Sequence, residues 1–373
     1  MRCCLFLLML AGVLLSAGCA REDEREKVTF WAMGREAEVV AELVTEFERE
    51  NPGIDVDVQN IPWTAAHEKL LTAFAADGLP DLCQMGNTWL PEFAALGTLE
   101  PLQSYVDRST VVEPSDYFPG IWDTAVVDRQ LLGVPWYVDT RLLYYRKDLL
   151  RDHDNRGNFR SPGFRRALGF YANMFEQGWA PKMSETQISN VWDEFFNGFY
   201  AFYLSGPWNI REFRKRMPDH LRDQWGTMPL PGPDGPGAGI AGGTSLVIFR
   251  TSERKAAAWK LVEFLSRPEI QQRFHALIGD LPPRRSTWAH PALANDEYAR
   301  AFRDQLERVK PTPKVLEWER IAQEMRVVTE QVVRGGQSQE RAVQDLDARV
   351  DAILEKRRWM YERDHPAARG AQP

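Results

Sequence analysis

Between residues 28 and 85 the hydrophobic period changes at every segment, which neither an all-helical nor an all-strand fold can absorb. Val28-Thr29-Phe30-Trp31 reads as a strand. After Gly34, the run from Glu36 to Glu50 places Val39, Val40, Leu43, Val44 and Phe47 on one helical face. Asn51-Pro52-Gly53 ends that helix, because its proline cannot donate to the ladder. Ile54, Val56 and Val58 then alternate with Asp55, Asp57 and Gln59 at the two-residue period of a strand. Ala65 to Ala76 returns to helix, Gly78 and Pro80 break it, and Asp81 to Met85 is a short third strand. Strand, helix, strand, helix, strand predicts an α/β lobe with parallel pairing and right-handed crossovers. Ligands of such lobes bind where strands end and loops begin.

Leu131 to Val138 and Leu142 to Lys147 read as two more strands, joined through Asp139-Thr140. Pro162 to Gln177 and Asn190 to Phe202 are helical or mixed, and Tyr200 to Leu204 leads into Ser205-Gly206-Pro207-Trp208. Pro229 to Gly239 is a loop dense in Pro and Gly. A strand at Ser245 to Phe249 precedes a helix through Trp259, Leu261, Val262 and Leu265, which stops near Pro268. The end is helical: Met325 to Val333, a Gly335-Gly336 break, then Ala342 to Trp359, with Val343, Leu346, Val350, Ile353 and Leu354 on one side. Residues 361–373 read as a frayed tail. A length of 373 residues allows two sizeable lobes.

The N-terminus is an address and not part of the fold. Arg2 is the one charge before an apolar run from Cys3 to Leu15, shorter than the roughly 20 residues of a membrane span and right for a signal-peptide core. Small residues then sit directly against Cys19 in Leu15-Ser16-Ala17-Gly18-Cys19. Residues 1–18 are expected to be removed, and Cys19 to carry lipid; an ordinary secretory signal with an incidental cysteine is the alternative. Residues 19–27 form the anchor and a charged tether. Cys3 and Cys4 leave with the signal, so Cys83 has no disulfide partner and reads as a small buried apolar residue. A net charge of −7 argues against a nucleic-acid partner.

Catalytic and metal motifs are weak. Gly237-Ala-Gly239-Ile-Ala-Gly242 fits G-x-G-x-x-G, yet a dinucleotide fingerprint follows a strand and opens a helix, whereas here a Pro-rich loop precedes and a strand follows. The six His are scattered, so no metal site is expected. Acids near aromatics do occur, at Asp81, Asp123, Asp139 and Glu194, and a glycosidase needs two carboxylates about one bond. That glycan-acting enzyme stays open as an alternative.

Thirteen Trp are more than a core of this size needs, and four lie in loop contexts beside polar groups. These are Gln59-Asn60-Ile61-Pro62-Trp63, Gly86-Asn87-Thr88-Trp89, Pro135-Trp136-Tyr137-Val138-Asp139-Thr140-Arg141 and Gly206-Pro207-Trp208-Asn209. A sugar offers flat C–H faces and a rim of hydroxyls, so its site wants aromatic platforms beside carboxylates, amides and Arg.

At these residues the chain resembles the extracellular solute-binding proteins of carbohydrate ABC transporters, the family that includes maltose- and trehalose-binding proteins. The matching stretches are VTFWAMGREAEVVAELVTEFERENPGIDVDV, LPDLCQMGNTW, LGVPWYVDTRLLYYRKDLL, the GPW turn, AGGTSLVIF with KAAAWKLVEFLSRPEIQQRF, and LPPRRS. The resemblance implies an α/β periplasmic-binding-protein fold of two hinge-linked lobes, a sugar in the interlobe cleft, and delivery to ABC permease subunits by a lipid-anchored monomer. It implies no cofactor and no catalysis. The first lobe would take residues 28–138 and 246–310, the second 139–245 and 311–360. Hinge bending would occur near Val138, Ser245 and Pro311, with ligand favouring the closed state.

Carried over by position, Glu36, Asn87, Trp89, Tyr137 and Asp139 would meet sugar hydroxyls or stack on a ring. Trp208 would be the platform from the second lobe. Gly242, Gly243 and Thr244 would let backbone approach the ligand closely. Trp63, Arg141 and Arg284 complete the candidate set, although Arg141 could instead only pair with an acid and Arg284 only brace the turn after Pro282-Pro283. The chain departs from the family after YYRKDLLRD, where Asp152-His153-Asp154-Asn155-Arg156 replaces several dozen residues of the second lobe. A shortened second lobe, with apolar surface uncovered near Tyr144, Phe170 and Phe175, is therefore expected. A degenerate member without a transport role is the third reading.

Overall fold

The structure, a computed structural model, describes residues 25–140, 157–183, 190–232 and 235–364. The signal segment, Cys19, Arg141, Tyr144, the Leu142 to Lys147 strand and the junction at 152–156 lie outside the described residues. No helix among the described residues is long and apolar enough to cross a membrane.

The alternation read from the sequence becomes β1 (Glu26–Met33), α1 (Gly34–Glu50), β2 (Ile54–Ile61), α2 (Trp63–Ala75) and β3 (Leu82–Gly86). Helix α1 buries the expected stripe, Val39, Val40, Leu43, Val44 and Phe47, with Glu36 and Ala37. The crossing strand β4 (Val134–Val138) follows six short elements, and beyond it come α3 (Pro162–Glu176) and α4 (Trp208–Arg216). Strand β5 (Gly243–Ile248) then leads to α5 (Lys255–Ser266) and α6 (Pro268–Ile278), and the chain ends in α7 (Trp318–Val333) and α8 (Gln339–Asp364).

The five strands form one sheet in the order β2-β1-β3-β5-β4. β1 pairs parallel to β2 and β3, as Phe30 faces Val58 on one side and Leu82 on the other. β5 runs antiparallel to both β3 and β4. The chain therefore leaves this sheet at Val138 and re-enters at Gly243, and those two residues are register partners. The G-x-G-x-x-G match ends one residue before β5 and opens no helix.

Three apolar clusters result among the described residues. The largest lies about the sheet, with Phe30, Val40, Phe47, Leu82, Trp136, Val247 and Phe264 buried in it; Phe47 meets Phe264 edge-on at 5.5 Å. Cys83 belongs to it, and burial holds its thiol far above the ordinary range, as a small apolar residue would be held. A second cluster gathers Phe118, Val138, Ile210, Leu281, Trp288 and Val309. The third joins α3, α7 and α8 through Phe159, Leu168, Val328, Val343, Leu346 and Val350. Phe170, on α3, is 61% exposed, whereas Phe175 is half-buried.

Candidate ligand-binding site

The first turn of α1 carries Glu36, and an acidic side chain there faces the positive end of the helix dipole. Its Oε1 accepts a 2.7 Å hydrogen bond from the Tyr137 hydroxyl on β4. That hydroxyl accepts from Gln84 Nε2 on β3 at 3.2 Å, while Gln84 Oε1 accepts from the Met33 backbone N–H at 2.7 Å. The last bond fixes the orientation of the Gln84 amide, which leaves the tyrosine one role: its proton must point at Glu36. Burial first, and then the charge of Glu36, keep the phenol well above its ordinary range, so it remains a donor. One carboxylate oxygen is thereby occupied. The other, Oε2, lies 3.5 Å from Trp63 Nε1.

Beside this relay stands an aromatic pair. Trp63 and Trp89 meet edge to face at 5.9 Å; Trp63 is 37% exposed and Trp89 half-buried. Trp89 lies over Gly86, whose missing side chain leaves room for the indole. Behind it, His67 touches both Trp89 and Phe93 and bonds Glu92 at 2.7 Å, which fixes the platform from the rear.

The crossing segment brings the rest together. Asp139 N donates to Gly242 O at 3.1 Å, and Asn87 N to Gly243 O at 3.1 Å, so the ends of β3, β4 and β5 meet at one edge. The two glycines serve that crossing. A Cβ at Gly242 would collide with the Asp139 carbonyl oxygen and one at Gly243 with that of Tyr137, and Gly243 has φ +126°. Neighbouring strand thus fills the space that a side chain at either position would need. Trp208 opens α4 and folds over Gly206, where a side chain would strike the indole, which explains the glycine of the GPW turn. The start of α4 reaches the same edge: Gly279 packs against Arg211 and Trp208.

Arg284 stands apart from this group. It is 7% exposed, pairs with Asp116 at 2.6 Å, donates to the Val111 and Ser266 carbonyls at 2.9 and 2.7 Å, and stacks on Tyr117. It braces the turn. Asp81, one of the acids considered for catalysis, is likewise consumed by Thr29 and Ser252.

Two residues escaped the sequence reading. Gln84 could have been noticed as a polar residue inside a central strand, where a partner is obligatory. Asp280 offered a fainter signal, an acid between Gly279 and Leu281-Pro282-Pro283. It is 6% exposed and next to Leu281, whose carbonyl accepts from Val138 N at 2.9 Å, so it sits beside the crossing strand. Burial, then the charges of Glu36 and Asp139, push its carboxyl well above the usual carboxylate range, against the pull of Arg35. Among the described residues no group of His, Cys, Asp and Glu could hold a metal ion.

A mixed α/β sheet whose polar and aromatic groups collect where the chain crosses out and back defines a two-lobed binding protein. The chain belongs to the bacterial extracellular solute-binding protein family, which it matches over residues 34–272. Its fold is similar to that of the sugar-binding protein MalE from the phytopathogen Xanthomonas citri, with 64% identity, a TM-score of 0.85, and coverage of 90% of this chain and 99% of that one. It is 20% identical to the galactooligosaccharide-binding protein of Bacillus subtilis (86% of this chain, 89% of that one). To the maltotriose-binding protein of Pyrococcus abyssi it is 21% identical (77% and 73%).

The last two alignments run to 387 and 343 positions, yet draw on only 86% and 77% of the 373 residues here. More than fifty positions of each relative thus stand opposite no residue of this chain.

Proposed function

We propose that this protein captures a mono- or oligosaccharide in the cleft at the crossing segment and hands it to the permease of an ABC importer. The observation that carries this reading is the Glu36–Tyr137–Gln84 relay set beside the Trp63–Trp89 pair: an oriented hydrogen-bond acceptor next to an apolar ring surface suits the rim and face of a sugar. Trp208 would close over the opposite face, with Asp139, Asn87 and Thr244 meeting hydroxyls, and with Arg141 adding a donor. The names of the sugar-binding relatives favour the same class. Cys19 would hold the exported chain to a membrane by lipid, with the protein acting as a monomer and with no bond of the sugar broken.

Thermal unfolding of the soluble form from Arg21 onward, against a panel of mono- and oligosaccharides, tests this. A sugar at a hundredfold over its Kd should add about 2.7 kcal/mol of stability. The shift should vanish in Trp208→Ala; a folded sample that answers to no sugar overturns the reading.

The alignment gap favours a second reading. If the missing positions fall at Asp152 to Arg156, the second lobe is reduced, and sugar contacts from that part are absent. A protein of that kind would be a degenerate binder without transport, which the same panel would reveal as a well-folded sample with no response.

A further inference from the structure

We propose that Arg211 is a specificity-determining residue of this protein, a guanidinium on α4 that donates to hydroxyl oxygens of the sugar unit carried by Trp208. The inference rests on the sugar-binding reading above and adds to it a residue that the sequence did not single out.

Helix α4 carries three arginines, and two of them have acids within the protein. Arg214 forks onto Asp296 through bonds of 3.0 and 2.8 Å and lies over the Tyr298 ring. Arg216 donates to Glu212 at 2.8 Å and lies over Trp192. Arg211 differs from both. The residue is half-buried, and its Nη1 is closed off from solvent yet meets no hydrogen-bonding partner among the described residues. A guanidinium is always charged and owns only donors, so a nitrogen that has lost water without gaining an acceptor is costly to keep. Where an arginine serves stability in this fold the picture is otherwise, since Arg284 meets Asp116 and two carbonyls.

Arg211 stands at the edge where the candidate site gathers. It follows Trp208 by one turn on the same face of α4, and the two share Gly279 as a neighbour. A Cβ on that glycine would lie 3.2 Å from Arg211 Cβ, 3.6 Å from its Cδ and 3.9 Å from Trp208 Cα. Long side chains lean toward the N-terminus of their helix, which carries the arginine stem toward the turn that holds Trp208. That turn is firm, because Asn209 accepts from Trp192 Nε1 at 2.8 Å and donates to Ser205 at 2.7 Å. The next residue, Glu212, brings α4 to the first turn of α1, with Oε1 3.9 Å from Nη1 of Arg35, the neighbour of Glu36.

A separate observation at the same edge points to a ligand. Asn87, 6% exposed, has its Oδ1 engaged by the Ser245 hydroxyl at 3.2 Å, while its Nδ2 meets no partner among the described residues. The hydroxyl of Thr244, 1% exposed, meets none either. Buried polar atoms are seldom left so unless something else completes them. Sugar hydroxyls both donate and accept, so they answer the donors of Asn87 and Arg211 together with the acceptor on Glu36. Glu36 and Asp280 make this edge acidic, which suits a neutral sugar better than one that brings a carboxylate.

Maltose and its monodeoxy analogues serve as probes, titrated by calorimetry. Arg211→Met keeps the stem and removes the donors, and it should weaken maltose binding roughly ten- to a hundredfold. The loss should belong to particular hydroxyls: at least one analogue that the native protein binds more weakly than maltose should bind Arg211→Met as well as maltose does. Arg211→Lys keeps the charge without the fork and should recover only part of the affinity. Thermal unfolding gives a reading that needs no sugar. Relieved of an unpaired buried nitrogen, Arg211→Met should melt at a higher temperature than the native chain.

Equal maltose affinity in Arg211→Met and the native protein overturns the contact, as does a loss of the same factor for maltose and every analogue; both leave the sugar site intact. A sugar-free Arg211→Met that melts earlier, or whose effect on melting is coupled to that of Asp280→Asn, overturns it as well, because the arginine then braces the fold. A native protein that binds neither maltose nor any analogue overturns maltose as the ligand and this proposal with it.

Discussion

An Asp set into a fold is not one kind of residue, as half-buried Asp116 and buried Asp280 show with opposite signs. Asp116 is costly to bury, but bonds from Ser286 and Arg284 outweigh that and hold its carboxyl below the ordinary range. Its contribution is therefore present above the unfolded-state value and lost as pH falls through the lower, folded value. Asp280 has a raised value, so its contribution is complete at low pH and lost as pH rises through the folded value. Arg284→Met tests the first. Removing the arginine from this pair, whose acid is only half-buried, should cost about 1–3 kcal/mol in urea unfolding and shrink the acid limb attributable to Asp116 to the part that Ser286 sustains, while sugar affinity of the folded variant stays unchanged. A lost affinity with stability intact would return Arg284 to the ligand site. At this scale the sequence revealed residue types well: Glu36, Trp63, Trp89 and Tyr137 were visible as polar or aromatic groups at strand ends, and they do meet. It could not separate Arg284 from them, because an arginine near a turn looks the same whether its fork faces a ligand or a carbonyl.

Among elements, the ones that periodicity marks are the ones that form. The α1 stripe and the alternation of β2 are set by local burial, which a single sequence displays. The sheet order is not local: β5 inserts between β3 and β4 after a long excursion, and no period in residues 139–242 announces it. What permits the insertion is Gly242-Gly243, where two carbonyls of the crossing segment occupy the side-chain positions. Gly243→Ala should therefore weaken the sheet edge by about 1–3 kcal/mol, from the left-handed φ as well as the collision. It should also lower sugar affinity, since Asp139 and Asn87 bond to this pair through their amides. Denaturant unfolding and calorimetry on one preparation check both. A variant as stable as the parent would mean that the crossing can relax away from the added methyl.

For the whole molecule, the three apolar clusters imply unequal stability. The first is sealed by a five-stranded sheet with α1, α5 and α6 packed about it, and its strand residues Val28, Phe30, Leu246 and Val247 are fully buried. The third rests mainly on α3, α7 and α8, with Phe159 from the segment before α3, and these helices leave Phe170 at 61% and Trp359 at 56% exposed. Local opening costs least where buried apolar contact is sparse. Amides of α3, α7 and α8 should accordingly exchange hydrogen at least about tenfold faster than those of β1 and β5, a difference of some 1.4 kcal/mol in opening free energy. A chain that opened as one unit would show the same protection throughout. Sugar should add protection at β4, at the start of β5 and at the start of α4, where the proposed contacts lie. If α7 and α8 gained as much as the crossing segment, ligand would be acting by tightening the helices of the third cluster, and closure would extend well beyond the residues that touch the sugar.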